Sequence, residues 1–511
     1  MEGTRSTKCV SVFAVAGAIL LCAFPAATTG ATTITVTNTN DSGPGTLRAA
    51  LTNSANGDVI NFALNYPATI ALTGGELLLT NNITIAGPGA ASLTISGNNG
   101  SRVFHVGTSN SATISDLTIT GGLASAGGVG AGIYCDSATL QITDCTIRNN
   151  QVTGGSTGAG AGIYSNQSQL TLTGCTINAN TASGNGGGIF NGTGSTLTVN
   201  NSAITGNSAL SGGGFCNSSG TMTANRCLIY ANAATHGGGI TNMGALGLAS
   251  LSINNCTLSS NVVSGASATG SQIYNVRQLS GASCLLSNST IVSNNVGPTY
   301  SGGAIYNDNG AAVTLGNTII LASVQEHTII NAGSGSTVVS AGYNLSFDGG
   351  GGFLNNPADQ INTDPLLDLG TGPRDNGGPT FTIALQANSP AIDKGKCDAV
   401  ASLAAVTDQR GEPRPFDDPN IPNASGGDGS DIGAYEADLR VTGVNKMTND
   451  LRLTFTSIFG KNYQLQKKSS LASGDWISFG SVIPGDGGVV PLTATGAFSQ
   501  PTQFYRILQT P

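Results

Sequence analysis

One phrase returns seven times between residues 112 and 332, and its return constrains the fold more than any single motif. GAGIYCDSATLQITDCTIRNN begins at Gly130, GAGIYSNQSQLTLTGCTINAN at Gly160 and GGGIFNGTGSTLTVNNSAITGN at Gly186. GGGFCNSSGTMTANRCLIYAN follows from Gly212, and GGGITN from Gly237 leads to LSINNCTLSSN. Two looser copies run from GSQIYN to SNSTIVSNN and through GGAIYNDNGAAVTLGNTII. The apolar residue after the glycines falls at Ile133, Ile163, Ile189, Phe215, Ile240, Ile273 and Ile305, with spacings of 30, 26, 26, 25, 33 and 32. Each period holds three short alternating segments, such as GIY, LTLTG and CTI. Alternation built from Ile, Val, Thr, Leu and Tyr is the pattern of strands. Gly, Asn and Ser stand between them, where tight turns need left-handed backbone. A single period cannot bury its own apolar edge, so equivalent strands must stack. The reading is an all-β parallel β-helix, a solenoid of roughly ten to twelve coils over residues 32–335, with rungs about 4.8 Å apart.

The register also fixes columns. Cys145, Cys175, Ser202, Cys227, Cys256 and Ser289 each precede a TI-like dipeptide, and Asn150, Asn180, Asn207, Asn232, Asn261 and Asn294 stand five residues further on. Amides in such a column can hydrogen-bond along the stack while closing identical turns. Eight Cys follow the amino-terminal region: these four with Cys135, Cys216, Cys284 and Cys397. An even count invites disulfides in an exported chain. Their place inside the repeats favours free thiols acting as small core residues, with bridges between some rungs as the alternative.

Arg5 and Lys8 precede the apolar run Cys9 to Ala27, and Ala27 or Ala31 could end an export signal over 1–31. An uncleaved anchor or lipidation at Cys22 are the competing readings; Leu21 stands where lipidation expects a small residue. Residues 32–111 read as an amino-terminal cap and first coils. Within 34–62, Leu47, Ala50 and Leu51 share one helical face, with Arg48 and Asn53 outward, so a short helix should cover the exposed first coil.

The stretch DSGPGTLRAAL followed by SANGDVINF resembles an amino-terminal motif of large bacterial surface proteins. The GGGI, GGAI and TIxxN phrases over 112–335 resemble polymorphic outer-membrane protein repeats and related β-helix passengers, which implies a right-handed coil. Those autotransporters end in a membrane barrel; the closing regions here hold too few alternating strands to build one. NTDPLLDLG, DNGGPTFTIALQANSPAIDKG, TDQRGEPRP and DIGAYE, within 362–436, resemble the choice-of-anchor domain of exported bacterial β-helix proteins, a type Q domain with no assigned chemistry. The resemblance implies a secreted or cell-surface solenoid.

Residues 336–437 accordingly read as closing coils and a carboxy-side cap, with Asp408, Arg410 and Arg414 able to form local ion pairs. Asp417, Asp418, Asp428 and Asp431 could hold calcium, but their spacing fits no dedicated loop and a solvated acidic loop is the simpler reading. The carboxy-terminal module spans 438–511, and after Asp438 the balance turns basic, with seven Lys+Arg against three acids. Its alternating strands predict a small β-sandwich, with Phe455, Phe459, Phe479, Phe504, Tyr505 and Trp476 in its packing. Trp476 as a sugar platform is the alternative.

Many exported β-helices cleave acidic polysaccharides, so an enzyme has to be weighed. Hydrolases of this shape need paired carboxylates, and lyases a cation-binding carboxylate set with a basic residue. Between 121 and 330 the candidates are Asp136, Asp144, Arg148, Arg226, Arg277, Asp308 and Glu326, which recur on no common strand position. His105, His236 and His327 fall in separate coils, and Asn362-Thr363-Asp364 lacks the companions of a polygalacturonase signature. No phosphate loop, nucleophile elbow or zinc motif is present. The sequence therefore assigns no catalytic, cofactor-binding or metal-ligating residue and no cofactor. A formal charge of −8 on 511 residues offers no basic surface for nucleic acid. The expected protein is a monomeric, secreted or cell-surface scaffold or adhesin that meets extracellular polysaccharide or another surface component. The alternative is an extracellular lyase or glycoside hydrolase acting on plant or microbial polysaccharide.

Overall fold

The structure, a computed structural model, describes residues 30–510 apart from 126, 266, 294–301, 323–326, 371, 419–420, 438–440, 459, 471–474, 487 and 500–502. The export segment to residue 29, Asn294, Glu326 and Phe459 lie outside the described residues. Each repeat supplies one strand to each of three faces. Ile133–Asp136, Thr139–Thr143 and Thr146–Arg148 form one coil and Ile163–Asn166, Gln169–Thr173 and Thr176–Asn178 the next. Among the described residues the first face has ten strands, the second twelve and the third eleven, all paired in parallel with the equivalent strand one coil away. The described residues of 30–354 thus form a parallel β-helix.

The expected register holds through every repeat. Ile133 pairs with Ile163, Ile163 with Ile189, Ile189 with Phe215, Phe215 with Ile240, Ile240 with Ile273 and Ile273 with Ile305. The column continues backward to Phe104 and forward to Ile329. These side chains are fully buried in one core, because alternation turns every second residue inward and stacking removes it from water. The triple glycine is explained by close approach. A Cβ at Gly188 would sit 2.6 Å from the carbonyl oxygen of Gly214 and 3.2 Å from the Asn207 amide.

That amide belongs to the predicted column. Nδ2 of Asn150, Asn180, Asn207 and Asn232 each donates to Oδ1 of the next member at 2.9 Å, and Asn261 ends the run on Gln272. Beside it, the Cys175 backbone N–H donates to Ser202 Oγ, and the Cys256 N–H to Ser289 Oγ. All eight described cysteines are free. Burial pushes the Cys175 thiol up to about 11 and raises Cys145 and Cys256 as well, so they stay protonated hydrophobes.

The helix Leu47–Asn53 covers the first coil, burying Leu47, Ala50 and Leu51 as expected. Arg48 is not simply outward. It pairs with buried Asp41 at 2.9 Å and donates to the carbonyls of Gly75 and Glu76, so it pins the cap to the next coil. Asp41 also accepts the Thr73 and Gly74 N–H groups, and Asp58 holds Thr32 and Ala55. The two acids of the DSGPG and NGDVI phrases are therefore clamps.

At the other end Phe353 and Leu354 pack onto the last core residues. Residues 364–437 do not continue the stack. They turn back and lie along the third face, where Leu367, Ile383, Leu385, Ile392, Ile432 and Tyr435 cover Val292, Ile319 and Leu345. The chain end forms two antiparallel sheets around Leu453, Phe455, Tyr463, Leu465 and Leu492, a small β-sandwich. No described helix is long and apolar enough to cross a membrane, and the body is a solenoid, not a membrane barrel.

Candidate functional site

The third face carries two outward columns. One runs Thr146, Thr176, Ala203, Leu228, Thr257, Thr290, Ile319; the other runs Arg148, Asn178, Thr205, Tyr230, Ser259, Val292, Leu321. Large side chains enter both columns at Leu228 and Tyr230, where the returning segment begins to cover the face, and Val292, Ile319 and Leu321 follow among Thr257, Ser259 and Thr290. This change was visible in the sequence and is the signal that repeat analysis passed over.

The edge of the returning segment is a hairpin. Arg374 and Thr382 exchange two backbone hydrogen bonds of 3.0 Å, and the tip Asp375–Thr380 turns through Gly377 and Gly378. A side chain at Gly378 would meet the Arg410 Cα at 2.4 Å. Gln409, fully buried, holds the hairpin to the solenoid. Its Oε1 accepts from Thr257 Oγ1 at 2.7 Å, and its Nε2 donates to Cys227 O, Thr380 Oγ1 and Phe381 O. Where the hairpin stops, a recess of 620 Å³ opens between it and the uncovered rungs. Thr176, Asn178, Thr205 and Tyr230 form its floor, and Pro379 and Phe381 its wall. Phe381 is 50% exposed.

A second constellation lies on the first face, with Glu76, Arg102 and His105 in the coils before the clear repeats. Glu76 takes an ion pair from Arg102 and a 3.2 Å contact from His105 Nδ1. Arg102 also donates to the carbonyls of Val129 and Gly130 and lies 5.0 Å from the centre of the Tyr134 ring. His105, Tyr134, Tyr164 and Phe190 follow one another as a stack of rings 4.8–5.6 Å apart. The hydrogen bond from His105, with the charge of Arg102, holds the Glu76 carboxyl below its ordinary range against the opposing effect of burial. These groups bind each other, and Arg102 already has acceptors on all three nitrogens.

The other candidates stay apart. Asp136 and Asp308 end strands of the first face in distant coils, Arg148 faces outward on the third face, and Asp144 and Arg226 sit at left-handed turns. Arg277 ends a first-face strand beside Gly244. His236 Nδ1 meets Thr269 Oγ1 at 2.8 Å within a turn column, and His327 lies in a further coil. Asp364 accepts the Leu366 N–H as an ordinary turn residue. Trp476 is half-buried, with the Arg506 guanidinium 4.5 Å from its ring centre.

In the returning segment the expected ion pairs are rearranged. Arg410 pairs with Asp408 at 2.8 Å, but Arg414 pairs with Glu436, also at 2.8 Å, all four inaccessible to water. The guanidinium of Arg410 lies 3.9 Å from the centre of the Tyr435 ring. The TDQRG, PRP and DIGAYE phrases thus meet in one buried network. Asp431 accepts from the Asp393 and Ala437 N–H groups, while Asp428 accepts from Cys397 and Ser430. Asp428 and Asp431 are therefore divided among separate backbone donors, and the Asp418 N–H donates to Asp393. Among the described residues no three His, Cys, Asp or Glu side chains gather as a metal site would need.

Fold and register define a right-handed parallel β-helix protein. Residues 29–204 and 89–278 match the family model of the right handed beta helix region. No curated protein matches the chain. Among solved structures, an alginate lyase from Paenibacillus sp. str. FPU-7 is similar over 59% of this chain and 99% of its own, with 13% identity and a TM-score of 0.38.

Proposed function

We propose that the protein is a non-catalytic scaffold that acts outside the cell, secreted or held at the surface, as an adhesin for glycans. The observation that carries this reading is the use of the repeated polar side chains. Each described Asn of the ladder from Asn150 to Asn261 is buried and bonded to its neighbour one coil away. Repetition here makes stiffness, since a stack of satisfied amides admits one register. The outward second face, with Thr139, Gln141 and Thr143 followed by Gln169, Thr171 and Thr173, is uncharged and hydrophilic. Cell fractionation together with a glycan array tests the reading; protein found only in the cytoplasm would defeat it.

The second reading, a polysaccharide lyase or hydrolase, is favoured by one observation: Glu76, Arg102, His105 and Tyr134 share a surface. Screens on uronate polymers with the wild type, Glu76→Gln and His105→Ala separate the two. Wild-type turnover that disappears in both variants would establish the enzyme; the scaffold reading expects no turnover from any of the three.

A further inference from the structure

The recess beside Phe381 has features that the scaffold role does not require. Its floor is open: a Cβ added at Gly206 would meet nothing within 4 Å, and Ala179 and Ala231 flank Gly206 in the same turn position. Thr176, Asn178 and Thr205 bring polar side chains to the floor, although Asn178 Oδ1 is itself withdrawn from water. Tyr230 and the half-exposed Phe381 bring two aromatic rings to the same recess. The lining contains no charged side chain among the described residues. Arg374, next to the wall, is paired with Asp368.

We propose that this recess binds a segment of a neutral polysaccharide, a ligand class that rests on the exterior, non-catalytic reading above and specifies it. Sugar rings present C–H faces that pack on aromatic side chains and hydroxyls that bond to Thr and Asn. The recess supplies both, as sites of convergent polar groups in apolar walls do. Asn178 and Thr205 stand on successive rungs about 4.8 Å apart, a spacing close to the length of one sugar unit. A peptide fits less well. The floor is the face of a sheet whose backbone groups are already bonded in the ladders, so no strand can be added there. Uronates are disfavoured because the lining itself offers no cation to their carboxylates, Arg148 standing one rung beyond Asn178 and outside the lining.

The test is calorimetric titration of the full chain with cellohexaose, xylohexaose, mannohexaose, hexa-N-acetylchitohexaose and hexagalacturonate. At least one of the four neutral oligosaccharides is expected to bind, about tenfold or more tighter than hexagalacturonate. Phe381→Ala and Thr205→Tyr are expected to weaken that binding by about tenfold or more, while Thr171→Tyr on the second face leaves it unchanged. Melting curves establish that the variants fold. If either groove variant does not, Tyr230→Phe, which keeps the packing and removes one hydroxyl, should weaken binding about threefold. No neutral binding, binding indifferent to the groove substitutions, or preference for hexagalacturonate would each overturn the proposal. Cytoplasmic location would instead defeat the exterior scaffold and leave a groove affinity intact, so the two failures are distinguishable.

Discussion

Asn207 shows what a single ladder residue does. Its Oδ1 accepts from the Asn180 backbone N–H and Nδ2, while its own N–H and Nδ2 bond to Asn232 Oδ1 and Nδ2 also reaches Ile177 O. Removing the amide takes hydrogen bonds from buried groups on the two neighbouring coils, each stranded donor or acceptor costing about 1–3 kcal/mol. Asn207→Ala should therefore lower stability by about 3 kcal/mol or more, whereas Thr171→Ala on the open second face should change it by less than about 0.5 kcal/mol. Denaturant unfolding of both variants checks this; equal midpoints would mean that the ladder adds nothing. This column was legible because its members keep a fixed offset from a Cys or Ser. A parallel ladder, Asn191, Asn217, Asn242, Asn275, Asn307 and Asn331, bonded at 2.7–2.8 Å, was not. The earlier coils place Cys135 and Ser165 at that position, so the column has no fixed identity along the repeat. The ring stack from His105 was hidden differently: alternation in IY shows that a side chain points outward, not that it touches a ring one coil away.

The returning segment is the element that sequence placed least well. Its turn phrases and buried Leu and Ile were legible, but the surface they cover was not, because that surface lies in outward positions of distant repeats. Gln409 is the joint. Gln409→Ala removes the bonds to Thr257, Cys227, Thr380 and Phe381 and should free the hairpin without melting the coils. Amide exchange at Arg374 and Thr382 is expected to accelerate by about tenfold with the solenoid unchanged; unchanged exchange would show that apolar packing alone holds the hairpin.

The same segment should respond to pH. Asp408, Asp431 and Glu436 face two guanidiniums, Arg410 and Arg414, in a buried network. Burial raises both Asp431 and Glu436, Glu436 to about 7 despite its pair with Arg414. Burial, with the charges of Asp417 and Asp418, raises Asp393 to about 6. A carboxyl raised in the folded state holds its proton more tightly than the unfolded chain does. Its stabilising effect is complete below the ordinary carboxylate range and is lost as pH climbs through 6 to 7. The segment should thus be firmer at pH 5.5 than at pH 8, by about 1 kcal/mol or more. Glu436→Gln should flatten the dependence. Melting temperatures across that range test it, and a rise in stability toward pH 8 would contradict it.

At the scale of the molecule, one coil follows another in register along the rod, with a shift at Leu315 and Gly316 near its end, and the groove, ladders and covered face all depend on that. Thr113, Gln141, Thr171, Thr198, Thr223, Ser252, Leu285 and Thr314 occupy one outward column of the second face. Ser252 is five rungs from Thr113 and Thr314 is seven, which at about 4.8 Å per rung gives separations of about 24 and 34 Å. Spin labels at Thr113 with Ser252, and at Thr113 with Thr314, measured by pulsed dipolar spectroscopy, read these distances directly. Two narrow distributions in the ratio of five to seven rungs are the predicted result. Broad distributions, or a distance that fails to grow from the first pair to the second, would contradict the stacked register.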